Sequence, residues 1–219
     1  MVYVKIPGVC FLVIACFAPS TLLWAQEPNA ATSAADRSIA VPATVVSAPP
    51  MTVGQKFRYR LKHSFDLEHL SRSVAGASFD EARGNPSGWG RGWDSFGVRV
   101  TSHIGQHLVK EQLMFGVEAL DHETPGHLRS RRTGIKDRLK DAIKYTFISS
   151  SDSGKLMPAY SRFVGAYGAA FISRTWYPSE FHTFSSGMYT GTASLGIDVG
   201  LNVLREFYPD IKKKLFHRP

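Results

Sequence analysis

The chain has 219 residues and a formal net charge of +8, from 26 lysines and arginines against 18 aspartates and glutamates. Both of its cysteines, Cys10 and Cys16, lie near the N-terminus, which excludes a disulfide-stapled fold for the rest of the chain. The hydrophobic share, 43%, is enough for a packed core in a single domain.

The N-terminal 25 residues have the features of a secretory signal peptide. Lys5 is their only charge, the run from Val9 to Trp24 is almost entirely apolar, and Ala25 offers a small residue for cleavage. Val13 to Cys16 also resembles a lipobox, so lipid anchoring through Cys16 stays open as the less favoured alternative. The sequence therefore predicts export to a bacterial periplasm or outer envelope.

The organisation of the remaining chain follows from its composition. Residues 26–50 consist mainly of Ala, Pro, Ser, Thr and Val, and they are predicted to form a disordered linker because they cannot bury a core. Residues 51–219 are predicted to form one all-α domain, a single bundle of about six helices.

Apolar residues at helical spacing predict the first four helices. Two short helices begin near Thr52 and Asp66, and a long one extends from Trp89 to Leu120. A fourth helix, from Ile135 to Phe147, is predicted to place its apolar residues inside and its lysines outside. The inside residues are Ile135, Leu139, Ala142, Ile143 and Phe147, and the outside ones are Lys136, Lys140 and Lys144.

Two further helices are rich in small residues. One extends from Ala159 to Trp176, and the other, from Gly187 to Phe207, contains Gly187, Gly191, Gly196 and Gly200. Each glycine inside a helix costs about 0.8–1 kcal/mol relative to alanine, so close packing must offset the loss. At about 100° per residue the two glycine pairs lie on opposite sides of the helix. This pattern predicts a close neighbour on each side and a central position for this helix.

Neither glycine-rich helix is predicted to span a membrane. Asp198 and Asn202 interrupt the second helix, and Arg162 and Arg174 bracket a short apolar stretch in the first. A small outer-membrane β-barrel agrees with the export signal and the aromatic content and is kept as an alternative, although sustained period-two alternation is missing.

Polar residues on the last glycine-rich helix are the first candidates for chemistry. Asp198, Asn202 and Arg205 fall within about 60° of one another around the helix. A buried carboxylate must find a partner or take up a proton. The stripe is therefore either a binding or catalytic site or, as we favour, a satisfied polar contact inside the bundle.

A second candidate site consists of His103, His107 and Glu111, which follow one another at spacing four on the long helix. Two histidines one turn apart can share a divalent metal ion, and a carboxylate can complete the ligand set. Because Ile104 follows His103, the pattern is not His-Glu-x-x-His, and neither a metal nor any other cofactor is predicted.

The positive charge concentrates in two clusters, either of which could attract anions. Export argues against nucleic acid as the partner and leaves anionic lipid or an acidic envelope polymer, although a solvated face is the simpler interpretation. The proposed anion or membrane surface consists of Arg129, Arg131, Arg132, Lys136, Lys140 and Lys144, to which Arg138 adds a further charge, and the second cluster consists of Lys212, Lys213, Lys214 and Arg218.

Short motifs in the second half of the chain give a resemblance to known proteins. Ser173 to Pro178, Gly165 to Gly168 and Glu206 to Asp210 are similar in order to motifs of a family of exported bacterial proteins of unknown function. The resemblance implies no activity, substrate or cofactor. It suggests that Tyr177-Pro178 and the Glu-Phe-Tyr-Pro-Asp segment are helix ends, since proline cannot continue a helix.

The expected function is that of a non-catalytic cell-envelope protein, associated with a membrane or with anionic polymers through basic and aromatic surface. The alternative is an envelope hydrolase acting on lipid or glycan, using Asp198 or the histidine group. No motif in the sequence names an activity.

Overall fold

The computed structural model describes residues 45–46, 49–126 and 128–216. The predicted signal peptide, Cys16 and most of the predicted linker lie outside these residues. The described part is an all-α bundle of six helices, as the spacing of apolar residues predicts. The helices are α1 (Val53–Ser64), α2 (Leu67–Arg83), α3 (Trp93–Leu120), α4 (Ile135–Phe147), α5 (Tyr160–Ser173) and α6 (Phe184–Phe216).

Four short strands accompany the helices. β1 (Val45–Val46), which falls within the predicted linker, pairs antiparallel with β2 (Arg129–Ser130), and β3 (Ile148–Ser150) pairs antiparallel with β4 (Leu156–Pro158). The β3–β4 hairpin joins α4 to α5. None of the helices in the described ranges combines the length and the apolar character needed to cross a lipid bilayer.

Two helix ends follow signals in the local sequence. Thr52 forms a capping box with Gln55 at the start of α1, and Gly84 ends α2 in the left-handed conformation. The bounds of α4 match the prediction, but α6 continues through Pro209 to Phe216. The predicted helix end at Pro209 is therefore wrong, because α6 tolerates the loss of the proline's backbone hydrogen bond.

Close packing of α3, α5 and α6 depends on small residues. A Cβ atom on Gly165 or Gly168 of α5 would meet the side chain of Met114 or Leu113 on α3. The predicted close neighbour of Gly187 and Gly191 is α5, whose Phe171 and Tyr167 rings occupy the space that side chains there would need. Around Gly196 and Gly200 there is only open space, so the second predicted neighbour is missing among the described residues.

The glycine-rich helix α6 packs mainly against α4 and α5, whereas α3 packs against α1, α2 and α5. Within the part of the chain that the structure describes, α3 therefore has the most helical neighbours.

The inward face of α3 is polar. Arg99, Ser102, Glu111 and Glu118 of α3 are buried, and so are Lys56 and Arg60 of α1. The outward faces hold large apolar side chains. Leu67, Trp93 and Leu120 are 81%, 87% and 85% exposed, whereas Lys56 is 1% exposed and Arg99 is fully buried. The usual distribution of a water-soluble bundle is thus reversed over much of the surface.

Helix α4 shows the reversal most clearly and corrects a prediction. Of the five residues expected inside, only Ala142 is buried, while Ile135, Leu139, Ile143 and Phe147 are exposed. The buried positions are instead Asp141, Tyr145 and Thr146, and of these Asp141 accepts a hydrogen bond from Ser130 and Thr146 accepts one from Asn202. Apolar and polar stripes have the same period, so spacing alone does not determine which one faces inward.

Candidate functional site

A cavity of about 580 Å³ lies between α1, α2, α3, α5 and α6, and many charged residues line it. The charged residues of the lining come from all five helices. The basic ones are Arg60, Arg72, Lys110, Arg162, Arg174 and Arg205, and the acidic ones are Asp80, Glu111 and Asp198. Four histidines also line the cavity, namely His63, His69, His103 and His107. The excess of cations makes the cavity attractive to anions.

Arg60 is the centre of a buried network of ion pairs and hydrogen bonds. Its Nη1 donates to Glu111 Oε2 at 2.9 Å and its Nε to Glu118 Oε2 at 2.9 Å, and its Nη2 also bonds Glu118. Although burial lowers the pKa of the Arg60 guanidinium, the bonds and charges of the two carboxylates raise it above its usual value. Burial raises the pKa of Glu111, but the charge and hydrogen bond of Arg60 outweigh this and lower it overall. Arg60 and Glu111 are therefore both ionised, whereas burial raises the pKa of Glu118 in spite of its bonds to Arg60.

Lys56 extends the network toward the β3–β4 hairpin. Its Nζ donates to the carbonyl of Glu118 at 3.0 Å and to Asp152 Oδ2 at 2.6 Å. Arg99, at the other end of α3, donates to Glu81 and to the carbonyls of Asn85, Pro86 and Gly90. Each side-chain nitrogen of Lys56 and Arg99 thus has an acceptor. Because these acceptors belong to separate segments of the chain, the two buried cations hold those segments together.

Two cavity arginines are held by neutral partners. Arg162 donates to the carbonyls of Tyr145, Thr146 and Gly126. Arg174 donates to the carbonyls of Ala170 and Ser186 and to the hydroxyl of Thr190. Burial lowers the pKa of both guanidinium groups. Because dipoles rather than carboxylates balance them at contact distance, their charge contributes to the positive potential of the cavity.

The predicted polar stripe of α6 lines the cavity, but its members do not act together. Asp198 Oδ2 accepts from Lys110 Nζ at 2.6 Å, and Asn202 Nδ2 donates to Thr146 Oγ1 at 2.8 Å. Arg205 Nη2 donates to Glu68 Oε1 at 2.6 Å near the surface. The three side chains thus connect α6 to α3, α4 and α2. This arrangement is that of satisfied contacts inside the bundle.

The predicted group of His103, His107 and Glu111 is only partly assembled. His103 Nε2 lies 2.9 Å from Asp80 Oδ2, in a pair of its own. His107 and Glu111 instead meet His69 of α2, and one potential ligand atom from each of the three lies within 4.8 Å of the others. Sequence reasoning missed His69, because nothing local indicates which turn of α2 faces α3.

The His69 and His107 rings are stacked, with centroids 4.1 Å apart and planes at 15°. Nδ1 of His69 and Nε2 of His107 are buried and have no hydrogen-bond partner among the described residues. Burial, together with the charges of His107 and Arg72, lowers the pKa of His69 to about 3, and burial also lowers the pKa of His107. Both rings are therefore neutral at pH 7, with lone pairs available.

The predicted basic surface is exposed but partly neutralised. Arg132 pairs with Asp141, and Arg129 and Arg138 pair with Glu206. The side chains of Arg131, Lys136, Lys140 and Lys144 also face solvent. The three lysines form one side of α4, next to the exposed apolar stripe of the same helix.

Tyr177, at the Asp80 end of the cavity, gives a prediction about alkaline pH. Burial raises its pKa above the ordinary value of 10.0, an effect larger than the lowering by its bond to Ser102. In the unfolded chain the phenol ionises near pH 10, whereas the folded form resists ionisation, so stability falls as the pH rises through this range. We expect Tyr177→Phe to lose less stability than the parent between about pH 9 and pH 11 in urea unfolding. An equal loss in both proteins would contradict the assignment.

The class of protein that these features define is an all-α bundle with a charged interior cavity and many large apolar side chains on its surface. Comparison with protein-family models, curated proteins and solved structures finds no match for this chain. The resemblance to exported proteins of unknown function stays a prediction.

Proposed function

We propose that the protein is an exported, non-catalytic envelope protein that associates with the surface of an anionic lipid membrane. The observation that supports this most directly is the outer face of α4. Ile135, Leu139, Ile143 and Phe147 are exposed there, and Lys136, Lys140 and Lys144 follow each of the first three by one residue. An apolar stripe beside a lysine stripe is typical of helices that lie in a membrane interface.

The energies of the two stripes complement each other. Full burial of an isoleucine or leucine side chain contributes about 1.5–3 kcal/mol. A lysine near an anionic bilayer contributes about 1 kcal/mol, and its methylene stem can lie along the apolar surface while the ammonium reaches the headgroups. The lysine stripe thus attracts the helix to the anionic headgroups, and the apolar stripe inserts among the lipids. A basic surface alone would provide only the attraction.

The rest of the exterior supports the same proposal. Exposed Leu67, Trp93 and Leu120 belong to α2 and to the two ends of α3. Single exposed apolar residues are ordinary, but this many around a charged interior are not. Any of them that contact the lipid would leave water in addition to the α4 stripe.

Sedimentation of the mature protein with lipid vesicles tests this proposal. We expect binding to vesicles that contain phosphatidylglycerol, weaker binding to pure phosphatidylcholine, and a decline as salt rises. Lys136→Gln, Lys140→Gln and Lys144→Gln combined should weaken binding roughly 100-fold, since three lysines contribute about 3 kcal/mol. Ile135→Ser with Leu139→Ser should reduce the binding that remains at high salt.

The matched control is Arg58→Gln with Lys62→Gln on α1. These two basic residues are exposed on a helix outside the proposed surface, and their removal should change vesicle binding by less, per charge removed, than removal of the α4 lysines does. Equal effects per charge would indicate diffuse charge attraction rather than an α4 surface. Tight binding to a soluble anionic polymer, unchanged by Ile135→Ser and Leu139→Ser, would indicate that this face binds a polymer instead of a membrane.

The hydrolase alternative has less support. Asp198, Asn202 and Arg205 bond to three different helices, and His103 pairs with Asp80. A catalytic acid or base needs a partner group and substrate access at one place. The residues predicted for that role do not converge on such a place.

A further inference from the structure

The cavity contains a cluster that the membrane proposal does not use, and we propose that His69, His107 and Glu111 form a binding site for one divalent metal ion of the zinc class. The three residues come from two helices, α2 and α3, and each can present a ligand atom within 4.8 Å of the others. Two imidazoles and one carboxylate are a ligand set that zinc accepts, with a fourth position for water or an anion.

The unpartnered ring nitrogens are the second observation. Buried polar atoms nearly always have a hydrogen-bond partner, and an orphan costs about 1–3 kcal/mol. Here two orphans, His69 Nδ1 and His107 Nε2, occur on adjacent rings in a cluster that can also offer a carboxylate. A metal ion would satisfy both atoms at once.

Glu111 can serve as a ligand without leaving its present partner. Arg60 bonds its Oε2 at 2.9 Å, and among the described residues no hydrogen bond is made to Oε1. Arg60 would then orient the carboxylate from outside the coordination shell, as partners of metal ligands commonly do. The near-parallel rings require one imidazole to turn, a rotation about a torsion with a broad energy minimum.

The charges around the cluster limit what binds beside the metal. Besides burial, the charge of Arg72 lowers the pKa of both His69 and His107, and the charge of Lys110 lowers that of His107. Their positive charge opposes any cation, the metal ion included, so the Glu111 carboxylate and an anion as the fourth ligand would have to offset that repulsion. The site would therefore hold a metal ion together with hydroxide, carboxylate or phosphate.

A direct binding measurement tests the site. The mature protein, freed of metal, is titrated with Zn²⁺ in competition with a chromophoric chelator, and Co²⁺ is used as a spectroscopic probe. We expect one Zn²⁺ per chain and a tetrahedral Co²⁺ spectrum. Loss of a group outside the coordination shell typically lowers metal affinity about 10–100-fold. Because His107 and His69 are proposed as direct ligands, His107→Gln and His69→Gln should each lower the affinity for Zn²⁺ by more than roughly 100-fold.

The matched control is His103→Gln, one turn before His107 on the same helix and in the same cavity. It should bind Zn²⁺ as the parent does, and Zn²⁺ should raise the melting temperature of both, but not that of His107→Gln. Glu111→Gln, which keeps an oxygen for Arg60, replaces any histidine variant that does not fold.

Three results would overturn the assignment. The first is the absence of Zn²⁺ binding by the parent protein. The second is an equal loss of affinity in His103→Gln and His107→Gln. The third is a loss in Asp66→Asn without one in His107→Gln, because His63, Asp66 and His69 form a neighbouring set of ligands that shares one histidine.

Discussion

Replacing Arg60 with methionine is expected to lower the free energy of unfolding by about 3–5 kcal/mol, because it leaves two buried carboxylates without their cation. Glu118 is 1% exposed and Glu111 is 4% exposed, and Arg60 bonds both of them. Methionine has a similar volume but cannot donate a hydrogen bond. Urea unfolding followed by circular dichroism measures the loss, and most domains of this size have only about 5–15 kcal/mol to lose.

Two comparisons separate the buried network from ordinary surface charge. Arg205→Met removes an arginine whose partner, Glu68, is exposed, and this should cost less than about 1 kcal/mol. Arg60→Met combined with Glu111→Met and Glu118→Met should recover most of the loss, since buried ion pairs replaced by apolar residues of similar volume are often neutral. If Arg60→Met costs no more than Arg205→Met, the buried network does not stabilise the fold.

The sequence predicts where the helices are better than which side of each faces inward. Apolar residues at spacing three and four locate α1 and α4, because an amphipathic pattern is visible without knowledge of neighbours. Lys56, Arg60 and Ser64 of α1 repeat with the same period as Val53, Phe57 and Leu61. Sequence reasoning buries the apolar stripe by default. Here the polar stripe is inside, because partners on α3 and the hairpin satisfy it.

The candidate metal site shows the same limit at the level of single residues. His107 and Glu111 are one turn apart on one helix, so their spacing predicts that they share a face. His69 reaches them only through the packing of α2 on α3, a contact between residues far apart in the chain. His103 shares their face of the helix, but its ring pairs with Asp80 instead. Local pattern therefore predicts two of the three proposed ligands, His107 and Glu111, together with His103, which lies outside the proposed set.

Glycine positions on α6 divide in a way that the sequence predicts only in part. Gly187 and Gly191 share a side, as the helical period requires, and α5 packs against that side. Gly196 and Gly200 share the other side but meet open space. Helix propensity therefore opposes all four glycines, and close packing compensates for two of them. For Gly196 and Gly200, no contact among the described residues compensates for the loss of helix propensity.

Gly191→Leu should consequently lower the free energy of unfolding by about 3 kcal/mol, the upper part of the range for overpacking. Even a Cβ atom at this position would overlap the ring of Tyr167 near its attachment to the backbone, where rotation gives little relief. Gly191→Ala should also destabilise, despite the gain in helix propensity. Thermal and urea unfolding measure both variants.

The control substitutions are made one and a half turns later on the same helix. Gly196→Ala should raise the free energy of unfolding by about 0.8–1 kcal/mol, because nothing lies within 4 Å of its new methyl group and the helix gains propensity. Gly196→Leu should also stabilise, because leucine has nearly the helix propensity of alanine. A loss at Gly196 as large as that at Gly191 would place an unseen neighbour on this side of α6, and an unchanged Gly191→Leu would remove the close contact between α5 and α6.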